Sequence, residues 1–422
     1  MEFVKNDRRT LVIGVLTSLV GLLTIGVFAL GVPGDAQTTL TFSPLNLSGV
    51  VPWNLNDWNL PVRGANLVLG LIALALGVEI LVRRPRRAVV ARFGGATVML
   101  FFALLLWAGR TGGPSPINFV NVTAMLVGCS TITMVLIYGA LSGVLCERAG
   151  VVNIAIEGQF IGGAFVGAVI ASITNNFFLA AAGGALIGAL LGGVLAFLAL
   201  RYQSDQIIVG VVLVSMLQGL SAYLNLQVLT PYPQYNTGNL APDLPIPLLA
   251  KIPVLGPTFF NQSGFFYLMV ILVAVISFGL FRTRWGLRVR AVGEHPKAAE
   301  SVGINVVRTR YINVILGGAV AGLGGVALTS CVTQFTPGVT SGFGYIALAA
   351  LIFGRWRPSG AVTASIIFGL SVYLATNLAT YVVPIPSSIL VMVPYVITIA
   401  VVAGLVGRVR APAADGIPYQ RA

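Results

Sequence analysis

Glu147, Arg148, Asn153 and Glu157 fall within GVLCERAGVVNIAIEG, residues 143–158, a polar interruption of a long apolar stretch. A charge at the centre of a membrane helix costs roughly 2.5–3.5 kcal/mol on insertion scales, so each of these side chains must sit at a helix end, be paired, or face water. Glu147 and Arg148 mark the end of one span most simply. Glu157 is expected two turns into the next apolar run, with Asn153 one turn before it on the same face. Two roles fit that pair: satisfying backbone groups freed where the chain breaks at Gly150 and Gly158, or lining a translocation route. The second concentration of polar residues is FRTRWGLRVRAVGEHPKAAESVGINVVRTR, residues 281–310. Seven Arg or Lys lie between Arg282 and Arg310 against Glu294 and Glu300, which by the positive-inside rule places the loop in the cytoplasm. Pro296 can open a helix there, Gly303 can close it, and Lys297 and Glu300 share a face. Residue types alone leave two readings, a solvated connector with one helical turn or a docking helix whose small Ala298 and Ala299 admit another surface.

Hydrolytic and metal chemistry have no residues to use. The three lysines, Lys5, Lys251 and Lys297, none of which follows a glycine, exclude a G-K-[ST] phosphate loop. His295 is the single histidine, and Cys129, Cys146 and Cys331 are scattered in apolar surroundings with no Cys-x-x-Cys. No catalytic residue, metal ligand or cofactor is expected in this chain.

The elements that position these residues are membrane helices. At 57% hydrophobic residues and a mean hydropathy of +0.93, the composition is that of a polytopic all-α membrane bundle. Apolar runs predict about 11–12 transmembrane segments. They begin with an uncleaved anchor at residues 11–30 and end at 387–407, with both termini on the cytoplasmic side. This count leaves only Arg63, Arg110 and Lys251 of the 25 Lys and Arg on the outer side. The net charge of +13 therefore reflects orientation and anionic lipid rather than nucleic acid. One crossing, residues 343–354, gives a helix of only about 18 Å against a core of ~30 Å. A broken helix lining a cavity explains it, with Gly338, Gly342 and Gly344 supplying the break. Gly184, Gly188 and Gly192, and likewise Gly318 and Gly322, form small-residue ridges for close helix contact, within one subunit or across a dimer. Glu79, close to Arg83 and Arg84, reads as a paired or snorkelling end residue.

The string G-L-R-x-R-A-V-G-E-x-P-x-A-A-x-x-x-G-I, residues 286–304, resembles the cytoplasmic loop of permease subunits of bacterial ABC importers for simple sugars, nucleosides and branched-chain amino acids. Residues 143–158 and GFGYIALAALIFGRWRPSGA, residues 342–361, are similar to the nucleoside branch, with Cys146 and Ala155 where that branch prefers Ser and Gly. The resemblance implies that Arg288, Arg290, Gly293, Glu294, Pro296, Ala298, Ala299 and Gly303 couple to an ATPase subunit that binds ATP and Mg. It further implies a translocation pathway near Asn153, Glu157, Gln159, Gly342, Phe343 and Tyr345, a second permease subunit of different sequence, and an external solute-binding lipoprotein. Residues 1–110 are expected to be an added extension of about three helices, 111–410 the permease core, and 411–422 a cytoplasmic tail. Import of sugars or branched-chain amino acids, and an ion-coupled carrier, remain as alternatives.

Overall fold

The computed structural model describes residues 2–43, 55–83, 89–113, 115, 117–238, 241–330, 334–381, 392 and 410–420. Its helices are α1 (Glu2–Leu23), α2 (Val62–Arg83), α3 (Val89–Ala108), α4 (Val122–Glu147), α5 (Ile156–Thr174), α6 (Phe177–Arg201) and α7 (Gln206–Leu224). After these come α8 (Gly264–Arg282), α9 (Arg284–Glu294), α10 (Pro296–Ser301), α11 (Val306–Thr329), α12 (Phe343–Phe353) and α13 (Pro358–Leu378). Among the described residues, nine helices are long and apolar enough to cross a membrane, and α12 and residues 92–108 of α3 are shorter apolar helices. The expected last span, 387–407, lies outside the described residues apart from Met392, as does Cys331.

Polar residues set the helix starts. Asn176 accepts from the N–H groups of Phe178 and Leu179, Asp205 from Ile207 and Ile208, and Asn305 from Arg308, which satisfies donors that the first turn leaves free.

The described residues divide into two compact units. One comprises Met1–Gly128, Ile246–Phe260 and Ser371–Gly407. Within it, Asn66 Nδ2 of α2 donates to the carbonyls of Phe28, in the wider helical turn Thr24–Ala29 that continues α1, and of Ala103 in α3, at 2.8 and 3.1 Å. Their loops add a small sheet, in which β1 (Gln37–Thr41) pairs antiparallel with β2 (Trp58–Pro61) and parallel with β3 (Phe119–Asn121). Glu79 meets both Arg83, at 3.7 Å, and Arg92, at 3.0 Å, so it is paired.

The other unit, Cys129–Pro245 with Asn261–Leu370 and Arg408–Ala422, is built around α11, whose apolar span is 72% buried. The two glycine ridges meet inside this single chain. A Cβ on Gly188 would stand 2.2 Å from the Gly318 carbonyl oxygen, and one on Gly322 would stand 2.0 Å from that of Gly184. Only glycine lets α6 and α11 come so close, and α5 packs against both. Two short strands, β4 (Asp243–Pro245) and β5 (Asn261–Ser263), pair antiparallel at the ends of the loop after α7.

The structure corrects one boundary. Residues 151–155 are not helical, so α5 starts at Ile156, Asn153 lies in the connecting loop, and Glu157 is in the first turn rather than two turns in. Gly150 at φ +86° turns the chain out of α4 before the next helix begins.

Candidate functional site

Glu157 is 2% exposed, and its carboxyl group is fully engaged with the break in the chain that precedes α12. Oε1 accepts from Thr340 Oγ1 at 2.6 Å and from the Gly342 N–H at 3.0 Å, while Oε2 accepts from the Gly344 N–H at 2.7 Å. These donors belong to the start of α12, where unpaired N–H groups and the helix dipole favour an acceptor. The geometry requires glycines: Gly342 has φ +79°, and a Cβ on Gly344 would lie 2.5 Å from the Glu157 nitrogen. Glu157 therefore fastens the broken helix to α5, satisfying backbone groups freed in α12 rather than near Gly150.

Asn153 and Gln159, both 0% exposed, form a second polar cluster behind it. Asn153 Nδ2 donates to Ser142 Oγ at 3.2 Å and to Gln159 Oε1 at 3.1 Å. Asn153 Oδ1 and Gln159 Nε2 have no protein partner. On α12, Gly342 and Phe343 are half-buried and Tyr345 is 44% exposed. The structure thus brings Glu157 together with Gly342 and Gly344, leaves Tyr345 open, and encloses Asn153 and Gln159.

The same two strings, 143–158 and 342–361, lock together a second time. Trp356 Nε1 donates to Glu147 Oε2, and Arg148 Nε donates back to the Trp356 carbonyl at 2.7 Å. These bonds hold Arg355 and Trp356 at φ +56° and +53°, a left-handed turn that costs non-glycine residues of order 1–3 kcal/mol each. Neither Trp356 nor Thr340 is legible in the sequence as a partner, because each lies about two hundred residues from the acid it serves.

The polar loop folds into two short helices, α9 and α10. Pro296 opens α10 as expected. Gly303, at φ +85°, closes it, with its own N–H on the Glu300 carbonyl and that of Ile304 on the Ala299 carbonyl, the double bond of a Schellman end. Val292, Ala299 and Val306 form a small core beneath. Arg288, Glu294, Lys297, Ala298 and Gly303 are exposed, Arg290 and Pro296 half-buried, and Gly293 and Ala299 buried. A Cβ on Gly293 would stand 2.2 Å from the Arg148 carbonyl oxygen, so α9 rests directly on the turn at the end of α4.

The chain is similar along most of its length to proteins of known role. It is 39% identical over 313 residues to the nucleoside ABC transporter permease protein NupC of Lactococcus lactis subsp. cremoris, covering 72% of this chain and 98% of that one. It is 38% identical over 324 residues to the guanosine ABC transporter permease protein NupQ of Bacillus subtilis, with the same two shares. The putative glucose ABC transporter permease protein TsgC13 of Haloferax volcanii is 36% identical over 243 residues, 56% of this chain and 72% of that one. No solved structure matches. Residues 125–402 match the family described as the permease component of branched-chain amino acid transport systems. With its glycine-packed helices, its short helix held by Glu157, and that match over most of its length, this chain belongs to that permease family.

Proposed function

We propose that this chain is the membrane-spanning permease of an ATP-driven importer of nucleosides, with both termini in the cytoplasm. The observation that carries the cargo class is 39% identity across 98% of a nucleoside permease. A separate ATPase, which binds ATP and Mg, presses on the exposed side of α9 and α10 through Arg288, Glu294, Lys297, Ala298 and Gly303. Arg290, Gly293, Pro296 and Ala299 support that surface from behind. An external binding protein delivers the solute, and a second permease of different sequence completes the route. Along that route Tyr345, Phe343 and Gly342 present an aromatic face suited to a nucleobase. Glu157 holds α12 in place, and the unmatched Asn153 Oδ1 and Gln159 Nε2 lie behind it. Residues 1–110 are an added extension to the core at 111–410.

Affinity purification of the tagged chain from native membranes, with mass spectrometry of the bound proteins, tests the assembly. Recovery of a phosphate-loop ATPase, a second permease and a lipoprotein carrying a nucleoside is the expected result. A lipoprotein retaining a hexose would instead favour sugar import, the reading that the TsgC13 similarity supports. The chain alone, from a preparation in which other transporters stay intact, would favour an ion-coupled carrier. Coupling is tested by Gly293→Ala, which drives a methyl group into the Arg148 carbonyl, and by Glu294→Ala. Both are expected to abolish solute-stimulated ATP hydrolysis; unchanged stimulation removes α9 and α10 from the coupling path.

A further inference from the structure

The coupling helices are too short to hold themselves. Helices of eleven and six residues are unstable alone in water, and the core under them has three fully buried residues. α9 also leans on α8 and on the turn after α4, and residues 413–419 add a further set of bonds from far along the chain. The Ala414 N–H donates to the Gly293 carbonyl at 2.9 Å, the Ala413 N–H to Glu294 Oε2 at 3.3 Å, and the Tyr419 hydroxyl to Glu300 Oε2. Tyr419 also packs its ring against the core of Val292, Ala299 and Val306.

The same segment grips the ends of the spans. Arg310, 0% exposed, donates to the Ile417 carbonyl at 3.1 Å and to the Ala414 carbonyl at 3.4 Å, and lies 5.9 Å from the Tyr419 ring centroid. The Asp415 carboxyl group lies close enough to Glu147 at the end of α4 for the two acids to interact electrostatically. Gly150 has no room for a side chain, because a Cβ there would meet the Ala414 carbonyl oxygen at 3.0 Å. One short peptide is therefore bonded on one side to α9 and α10 and on the other to α11, and it packs against the turn that ends α4.

We propose that residues 411–420 are a strap that makes the coupling helices and the ends of α4 and α11 one rigid body, with Tyr419 and Asp415 as positioning residues for coupled transport. The strap rests on the reading of α9 and α10 as the ATPase-contacting surface. A load applied to helices of eleven and six residues would otherwise deform them before it moved a span.

The test uses the complete importer in liposomes and reads solute moved per ATP hydrolysed. Removal of residues 411–422 is expected to lower that ratio about tenfold. Tyr419→Phe, which loses one hydrogen bond, is expected to lower it on the order of threefold, and Asp415→Ala likewise. A chain with Glu300→Cys and Tyr419→Cys, in a background of Cys129→Ala, Cys146→Ser and Cys331→Ala, is expected to be poorly coupled until a short bis-maleimide joins the pair. Recovery of the ratio on joining is the result that a merely structural tail would not give. Fewer assembled complexes with an unchanged ratio overturn the strap, as does a ratio that joining fails to restore. If the shortened chain does not assemble, the Tyr419→Phe ratio and the joined pair decide. If the Gly293→Ala and Glu294→Ala chains lose coupling while the tail variants keep it, the strap alone fails. If all of them keep it, the coupling surface itself is elsewhere.

Discussion

Glu157 does three things for α12 at once, and each has a separate donor. Glu157→Gln keeps the size but turns one acceptor into an amide NH2 facing a backbone N–H or the Thr340 hydroxyl. Leaving a buried donor unmatched costs about 1–3 kcal/mol. Solute uptake by the assembled importer is expected to fall at least about tenfold, and the purified chain to melt at a lower temperature; normal uptake would mean that α12 does not need this fastening. In the sequence Glu157 stands out by the cost of a carboxyl group in an apolar run, but its donors lie 183–187 residues away, a distance no local pattern spans.

Asp415 predicts a pH dependence. Burial pushes its carboxyl up to about 7, against a lowering by the interaction with Glu147, the charge of Arg310 and the Gly416 N–H. Glu147 faces it from α4 and Arg310 from α11, with Tyr419 beside Arg310. A carboxyl raised on docking favours the docked tail when protonated. Docking is thus strongest below about pH 4, weakens as pH rises through about 7, and is flat above that. Hydrogen exchange at residues 413–419 should accelerate between about pH 5 and 8 beyond its intrinsic rate, and Asp415→Asn should remove the excess. In the sequence Asp415 is one acid in a short polar tail, and Arg310 one of many topological charges. Neither carries a sign that both are buried against each other's neighbours.

At the scale of elements, the ridge between α6 and α11 separates glycines that are required from glycines that are merely present. Gly322→Val places a side chain 2.0 Å from the Gly184 carbonyl oxygen, and overpacking of this kind costs about 1–3 kcal/mol or more. Lower yield in the membrane and a lower melting temperature are expected. Gly219, in α7, has nothing within 4 Å of its Cβ position, so Gly219→Ala is expected to be neutral or to gain about 0.5–1 kcal/mol from helix preference. Equal damage from both would show that the ridge does not set the helix spacing. The spacing of these glycines is plain in the sequence, whereas only the structure shows that the ridges meet within one chain. The start of α5 is hidden because VVNIA, residues 151–155, is as apolar as the helix it precedes, so hydropathy cannot separate loop from span.

For the whole molecule, residues 1–110 lie outside the matched strings and read in the sequence as an appendage. They are nonetheless bonded to the start of the core. The Thr39 N–H donates to the Asn118 carbonyl at 3.2 Å, Thr123 Oγ1 to the Phe42 carbonyl at 2.7 Å, and Asn121 Nδ2 to the Ser43 carbonyl at 2.7 Å. A chain beginning at residue 111 leaves β3 without its strand partner, the Asn118 carbonyl without its donor, and Thr123 Oγ1 and Asn121 Nδ2 without their acceptors. It is expected to accumulate to a lower level while retaining uptake per molecule, as quantitative blotting beside radiolabelled uptake would show. Loss of uptake per molecule would place the extension in the route itself.

The order of synthesis gives the buried arginine a further meaning. Arg310 emerges from the ribosome about a hundred residues before Ala414 and Ile417, the carbonyls that receive its guanidinium. Until residues 414–417 are made, a nascent chain must keep that charge hydrated, so α11 cannot settle fully against its neighbours. A product that stops before residue 411 would stay in that unsettled state, with Gly293 and Arg310 lacking these partners. Synthesis of residues 413–419 and burial of the Arg310 guanidinium are thereby one event.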